Sequence, residues 1–305
     1  MRRMKYRTLG STGLDVSVIG VGTWQFGGEW GKDFAQDEVD EMLDKAGELG
    51  INLIDTAECY GDHLSEEFIG SYLSRRKRED WIVATKFGHH FSGYLKREQL
   101  WSADDVLKQL DDSLRALRTE YVDLYQFHSG TDADFDNDKL WNMLDAQKRA
   151  GKIRHLGISI NTANDGVHQT SSAPQIGAEA IQVVYNRLER QPEEKLFPLC
   201  KEHSLGVLAR VPLASGYLSG KYKADAVFQA SDVRANHDAK KREGQLRIVA
   251  EIAANEVPAG LDMAQWALAW CLRHPAVTSV IPGCKNVPQV VSNARAADLD
   301  LVAEG

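Results

Sequence analysis

The chain has 305 residues, with 36 Lys and Arg against 44 Asp and Glu, a formal net charge of −8 at pH 7. That acidity argues against nucleic acid or an anionic membrane as the main partner, and a charged fraction of 26% excludes wholesale disorder. Stretches such as Ala264 to Leu272 reach about half of the ~20 apolar residues a spanning helix needs, so no membrane crossing is expected.

In chain order, the basic start Met1-Arg2-Arg3-Met4-Lys5-Tyr6-Arg7 lacks the apolar run of a secretory signal. Residues 4–13 read as a small β-hairpin. Eight short apolar runs then follow, at 16–22, 51–57, 81–86, 121–128, 153–158, 180–185, 206–211 and 277–282, as expected of parallel strands covered on both faces. Amphipathic stretches lie between them. Val39, Met42, Leu43, Ala46 and Leu49 form one stripe, stopped by Gly50. Val106, Leu107, Leu110, Leu114 and Leu117 form another, opened by Ser102 as N-cap. A third runs from Leu140 to Gly151, and Asp262 caps one that stops before Pro275. Residues 87–101 make a long connection after the third strand; 212–261 hold a loop around 227–236 and an extra helix near 242–255. Eight βα alternations predict one (β/α)₈ TIM barrel spanning 1–305 as a single α/β domain, with a doubly wound open sheet as the alternative. The four cysteines, Cys59, Cys200, Cys271 and Cys284, are scattered without a CxxC pair, which suits a reduced cytoplasmic protein.

Polar groups stand where the predicted strands end. The second ends at Asp55, the third at Lys86, the fourth at His128 and the fifth at Ser159, while the sixth carries Gln182. In a barrel these ends converge on one rim, so an acid, a cation and an imidazole share a pocket. Taken singly each has a bland explanation, a helix cap or a solvated charge; together on successive strand ends they point to catalysis. Tyr60 adds a phenol just beyond the second strand. Cys59 reads as small packing behind that site, and Glu58 as a local structural group. His89 and His90 are adjacent on an extended segment, so they point apart, and no third ligand is spaced to help; no metal is expected. Phe91, Tyr94 and Trp101 on the same segment are expected to wall a substrate pocket.

Gly22-Thr23-Trp24, Asp55-Thr56-Ala57-Glu58-Cys59-Tyr60-Gly61, Thr85-Lys86, Val122-Asp123-Leu124-Tyr125-Gln126-Phe127-His128 and Ile281-Pro282-Gly283 resemble the aldo-keto reductase family, in order and at family spacing. The style of the match is closer to the bacterial branch that includes the potassium-channel β subunits. The resemblance covers nearly the whole chain and implies a barrel with an N-terminal hairpin across its bottom. It also implies reversible hydride transfer between NADP(H) and a small-molecule carbonyl or alcohol. Tyr60 would be general acid for reduction, with Asp55, Lys86 and His128 around it. A free phenol titrates near ~10, and a cation such as Lys86 beside it is expected to lower that value. Asp55 would hold Lys86, and His128 would hydrogen-bond the carbonyl oxygen or relay the proton.

No GxGxxG or GxxxxGK[ST] run is present, so a dinucleotide must use barrel loops. By the resemblance, Ser159 and Gln182 hold the nicotinamide carboxamide; Ile160 stands where the family usually has Asn, with Asn161 one place later. Gly22, Thr23 and Trp24 also fall on the cofactor side. After the seventh strand, Pro212, Leu213, Ser215, Gly216, Ser219 and Lys221 match the family's loop, and Arg210 replaces its usual aromatic. An Arg there suits a pyrophosphate, and backbone N–H groups of 213–219 would add a cradle. Gly283, Lys285, Gln289 and Asn293 match the last cofactor motif, with Lys285 facing the adenosine 2′-phosphate and a helix opening near Asn286. Arg234 is a further phosphate candidate. Two other readings remain open at this point: a regulatory subunit that binds cofactor without turning it over, and a Schiff-base aldolase using Lys86. The complete set of Asp55, Tyr60, Lys86 and His128 speaks against the first, and the 281–293 motif against the second.

Overall fold

The computed structural model describes residues 4–163 and 165–301. The basic start at 1–3 and the end of the single-domain span at 302–305 lie outside them. Among the described residues, β1 (Tyr6–Thr8) and β2 (Asp15–Ser17) pair antiparallel; β3 (Val21–Gly22), β4 (Leu53–Asp55) and β5 (Ile82–Phe87) follow. β6 (His89–Gly93) and β7 (Lys96–Gln99) make a second antiparallel hairpin. Then come β8 (Val122–His128), β9 (Ile153–Ser159), β10 (Ala178–Val184), β11 (Gly206–Arg210) and β12 (Ser279–Val280).

The eight strands other than the hairpins form one parallel sheet in the order β12-β11-β10-β9-β8-β5-β4-β3. Parallel bridges from Ile19 to Val280 and from Gly22 to Gly283 join its two ends, so the sheet curls into a barrel. The expected strands all appear, with two linked corrections: the hairpin expected within 4–13 takes its second strand from Asp15–Ser17, because the turn at 9–14 carries the chain past 13. The run 16–22 reads as a single strand because it is continuously apolar, yet it serves two sheets. Its first half pairs with β1, and its second half pairs with β4 and closes the barrel.

Several of the helices start where the sequence supplies a side-chain acceptor. Ser102 accepts from Asp105 N–H ahead of Ala103–Ala116, Asp238 from Lys241 ahead of Ala239–Asn255, and Asp262 from Gln265 ahead of Met263–Leu272. Each such cap is worth about 1 kcal/mol. The stripe Val39, Met42, Leu43, Ala46 is buried in Gln36–Glu48, and Gly50 follows at φ +81°, a left-handed turn that a side chain would strain. The extra helix near 242–255 is the long Ala239–Asn255 element, which packs Leu246, Val249 and Ile252 against Tyr217, Leu218, Met263 and Trp266. This second apolar cluster anchors the excursion after β11 beside the barrel mouth. No described helix is long and apolar enough to cross a membrane.

Candidate active site

Alternation along each strand sends every second side chain into the barrel. Leu53, Ala84, Leu124, Ala180 and Leu208 form an interior apolar layer together with Leu9 and Val16 from the N-terminal hairpin. Two residues further along those same strands stand Asp55, Lys86, Gln126, Gln182 and Arg210. The parity that fills the core therefore puts a polar ring on top of it, at the C-terminal ends of the strands where barrel enzymes work.

Lys86 is the hub of this ring. Its Nζ donates to Asp55 Oδ2 at 2.8 Å, to the Thr56 carbonyl at 2.7 Å and to Tyr60 Oη at 3.2 Å. Asp55 Oδ1 accepts from Gln182 Nε2 at 2.7 Å and from Gln126 Nε2 at 3.1 Å, so both carboxylate oxygens are satisfied. Burial opposes the charge on Lys86, but Asp55 and Tyr60 together more than offset it and hold the ammonium above its ordinary value. Tyr60 behaves differently from expectation. Burial raises its phenol above the usual value, and the nearby Lys86 only partly counters this, so the hydroxyl keeps its proton. Trp24 stacks on Tyr60 with ring centroids 6.0 Å apart, and His128 meets it edge-on at 6.3 Å. Burial, then the neighbouring His89 and Lys86, pushes His128 well below the usual imidazole range, so it is neutral at physiological pH.

A cavity of about 870 Å³ opens over this group, and its wall includes every cofactor residue expected from the sequence except Ser159. Ser159 is buried beside Gln182 on the neighbouring strand, and its Oγ has no partner. Arg210 donates to the Ile160 carbonyl at 3.0 Å while its Nε is buried and unpartnered. Asn161 does not substitute for the missing neighbour of Ser159: its amide donates to Ser129 O and accepts from Ala163 N–H. The loop after β11 turns sharply, with Val211, Ala214, Ser215 and Gly216 all at positive φ. Gly216 and Leu218 N–H both return to Leu213 O, and Ser219 Oγ donates to Gly216 O, so part of the expected cradle is spent on the loop itself.

The outer cofactor motif is held by a cluster that sequence reasoning only half found. Lys285 Nζ donates to Trp30 O and lies 3.9 Å from Asp232. Arg234, expected as a phosphate contact, is paired with Asp232 at 2.6 Å and donates to Tyr222 Oη at 2.9 Å. Asn286 caps the helix Val287–Arg295, and Gln289 accepts from Lys285 N–H at 2.8 Å. Asp232 was missed, although an acid two residues before a candidate Arg is a readable signal.

On the side of Tyr60 the wall takes His89, Leu95 and Arg97 from the second hairpin rather than Phe91, Tyr94 and Trp101. Trp101 instead packs on Phe127, centroids 4.5 Å apart. Buried Glu29 ties this hairpin down: it accepts from Trp24 Nε1 at 2.7 Å, from Arg97 at 2.6 Å and from Leu95 N–H at 2.8 Å. Nothing in the sequence marks Glu29. His89 and His90 do point apart, His90 to Glu58 at 2.6 Å and His89 onto His128, ring centroids 4.6 Å apart. Cys59 is buried and its thiol pushed up to about 11 by burial, in line with packing rather than redox reactivity.

With the geometry in place, the comparisons agree on a single kinship. The model of the aldo/keto reductase family matches residues 18–305. An uncharacterized oxidoreductase of Bacillus subtilis (strain 168), YqkF, is 33% identical over 99% of this chain and 94% of its own length. The aldo-keto reductase YhdN of the same organism is 30% identical over 94% of this chain and 87% of its own. Among solved structures, the holo form of aldo-keto reductase AKR11C1 from Bacillus halodurans has a TM-score of 0.80 and 31% identity, covering 97% of this chain and 92% of that one. The glycerol dehydrogenase AKR11B4 from Gluconobacter oxydans has a TM-score of 0.78 and 28% identity, covering 96% and 89%.

Proposed function

Because the chain belongs to the aldo/keto reductase family, whose oxidoreductases reduce carbonyls, we propose that it transfers hydride reversibly between NADP(H) and an aldehyde or ketone, with Tyr60 as the proton donor. The observation that carries this reading is the Asp55–Lys86–Tyr60 chain of contacts at 2.8 Å and 3.2 Å, opening into the cavity beside neutral His128.

The residues present fit the cofactor. Ser159 Oγ and Arg210 Nε are buried polar atoms with no protein partner, a costly arrangement that a carboxamide and a phosphate would relieve. Ser159 and Gln182 would hold the carboxamide, Arg210 and the loop 212–221 the pyrophosphate, and Lys285, Gln289 and Asn293 the adenosine end. When bound, NADPH supplies the hydride.

The chain's own residues manage the proton. Burial keeps Tyr60 protonated, so it enters reduction as an acid. As the carbonyl oxygen gains charge, Tyr60 Oη delivers its proton, and the phenolate left behind sits 3.2 Å from the Lys86 ammonium. Asp55, itself held by two glutamine amides, fixes Lys86 for that moment. His128 offers one ring N–H to the same oxygen.

The test is oxidation of NADPH, followed by its near-ultraviolet absorbance, against aldehydes including 4-nitrobenzaldehyde, methylglyoxal and glyceraldehyde. Tyr60→Phe is expected to lower kcat by at least ~10²-fold with NADPH affinity within about twofold of the parent. Comparable turnover in the variant would remove Tyr60 from the role. Tight NADPH binding with no turnover by the parent would favour a regulatory subunit.

A further inference from the structure

Beside Tyr60, outside its proton-handling contacts, three donor groups converge from three parts of the barrel. Cys59 comes from the loop after β4, His89 from the start of β6 and His128 from the end of β8. Each offers one ligand atom, and these atoms all lie within 4.8 Å of one another. Cys59 Sγ stands 3.8 Å from His128 Nδ1. A tetrahedral zinc, with bonds of about 2.3 Å to sulfur and about 2.0 Å to nitrogen, needs an S···N edge of about 3.5 Å, so this edge is nearly at ligation distance.

His89 supplies the second observation. Its Nε2 is buried without a hydrogen-bond partner, and the ring lies against the His128 ring with centroids 4.6 Å apart. Leaving a buried nitrogen unpaired is costly, and a bound ligand would recover that cost. Both imidazoles are neutral at physiological pH, burial holding His89 down to about 4 and His128 well below its usual range, so neither must lose a proton to ligate. Of the cations near the group, Arg97 is paired with Glu29 at 2.6 Å and Lys86 with Asp55 at 2.8 Å, while Arg210 also bears on His128. One sulfur and two imidazoles form a donor set for a borderline-soft transition metal, and not for magnesium or calcium.

We propose that Cys59, His89 and His128 form a Zn²⁺ site that shuts off turnover reversibly. Binding makes an S–Zn bond, breaks the Cys59 S–H bond and releases that proton to solvent; nothing is oxidised or reduced. The fourth coordination position faces the cavity and takes water. The ion takes Nδ1 of His128 and occupies the space beside Tyr60. The shut-off rests on the reductase reading above, whereas the metal site itself does not.

Co²⁺ serves as the spectroscopic probe on the full chain. It is expected to give a thiolate-to-metal charge-transfer band with tetrahedral visible absorption, both bleached by one equivalent of Zn²⁺. Cys59→Ala is expected to abolish the charge-transfer band, and His89→Gln to weaken Zn²⁺ binding by at least ~tenfold; circular dichroism checks that each variant is folded. With substrate, Zn²⁺ lowers turnover of the parent and a chelator restores it, while His89→Gln needs at least ~tenfold more Zn²⁺ for the same fractional loss. No charge-transfer band in the parent, or a band that survives in Cys59→Ala, overturns the site whatever the enzyme turns over. Zn²⁺ that binds without lowering turnover overturns the shut-off. A parent with the band but no carbonyl turnover refutes the reductase reading and leaves the metal site standing.

Discussion

Lys86 is 1% exposed, and its charge persists there because Asp55 is set against it. Removing one partner of such a buried pair leaves an uncompensated charge, at a cost of about 3–5 kcal/mol, whereas removing both can be nearly neutral. Asp55→Asn is therefore expected to destabilise the fold by about 3–5 kcal/mol, and adding Lys86→Met to recover most of that loss; urea unfolding of the two singles and the double closes the cycle. Equal, additive losses would mean that the pair is not energetically coupled. His89 makes a pH argument of the opposite kind. Burial holds it down to about 4, below the ~6.5 of the unfolded chain. As pH falls from ~6.5 toward 4 the unfolded state takes up a proton that the folded state refuses, so stability rises with pH in this window and is lost on acidification. His128, also depressed, adds the same sign. His63 has the reverse sign: burial opposes its charge, yet Glu66 at 2.6 Å holds it above its ordinary value, so its contribution is present at low pH and fades as pH rises. His89→Gln is expected to flatten the acid limb by on the order of 3 kcal/mol between pH 7 and pH 4, read from urea midpoints across pH.

At the scale of elements, what the sequence reveals follows from how much apolar surface each element buries. The parallel strands are nearly continuous apolar runs, so they were legible, and period-two parity then locates the polar ring: Gln126 stands two residues before His128 and two after interior Leu124. Gln126 was readable on that parity and was passed over because His128, two residues on, is the residue at that strand's end. The β6–β7 hairpin was not legible. Its residues are mostly half-exposed and polar, and what holds it is a buried carboxylate 66 and 68 residues from its contacts rather than a stripe of its own. The division of 16–22 between two sheets was hidden for the opposite reason, since an unbroken apolar run suits either partner. Glu29 thus becomes the test of the hairpin. Glu29→Ala removes the acceptors of Arg97, Leu95 N–H and Trp24 Nε1, and hydrogen bonds to a charged group are worth about 1.5–3 kcal/mol each. Amide exchange across 89–99 is expected to speed up by at least ~tenfold, with KM for the carbonyl rising more than kcat falls, because the hairpin walls the pocket but supplies no proton. Unchanged exchange there would mean that the hairpin stands without Glu29.

Across the whole molecule, barrel closure joins ends of the chain that sequence order keeps apart. Arg7 Nη1 donates to Val277 O at 2.5 Å and Nη2 to Leu272 O at 3.1 Å, so the N-terminal hairpin is tied to the segment leading into β12 at the closed end. At the open end the same convergence gathers Lys86, Arg210, Arg234 and Lys285 within or beneath one cavity wall of a chain whose net charge is −8. Charge within the cleft, rather than net charge, decides which dinucleotide is favoured, because only NADPH brings a second phosphate to the adenosine end. Lys285 holds Trp30 O. On the NADP(H) reading proposed above it would also meet a 2′-phosphate, beside the Arg234–Asp232 pair. If the phosphate role dominates, Lys285→Ala removes one charged hydrogen bond of about 1.5–3 kcal/mol from NADPH alone. NADPH affinity is then expected to fall about 10- to 100-fold with NADH affinity within about twofold, and the extra salt sensitivity of NADPH binding to diminish. Equal weakening of both dinucleotides in a fluorescence titration would assign Lys285 to holding the Trp30 loop, and the 2′-phosphate contact would pass to Arg234.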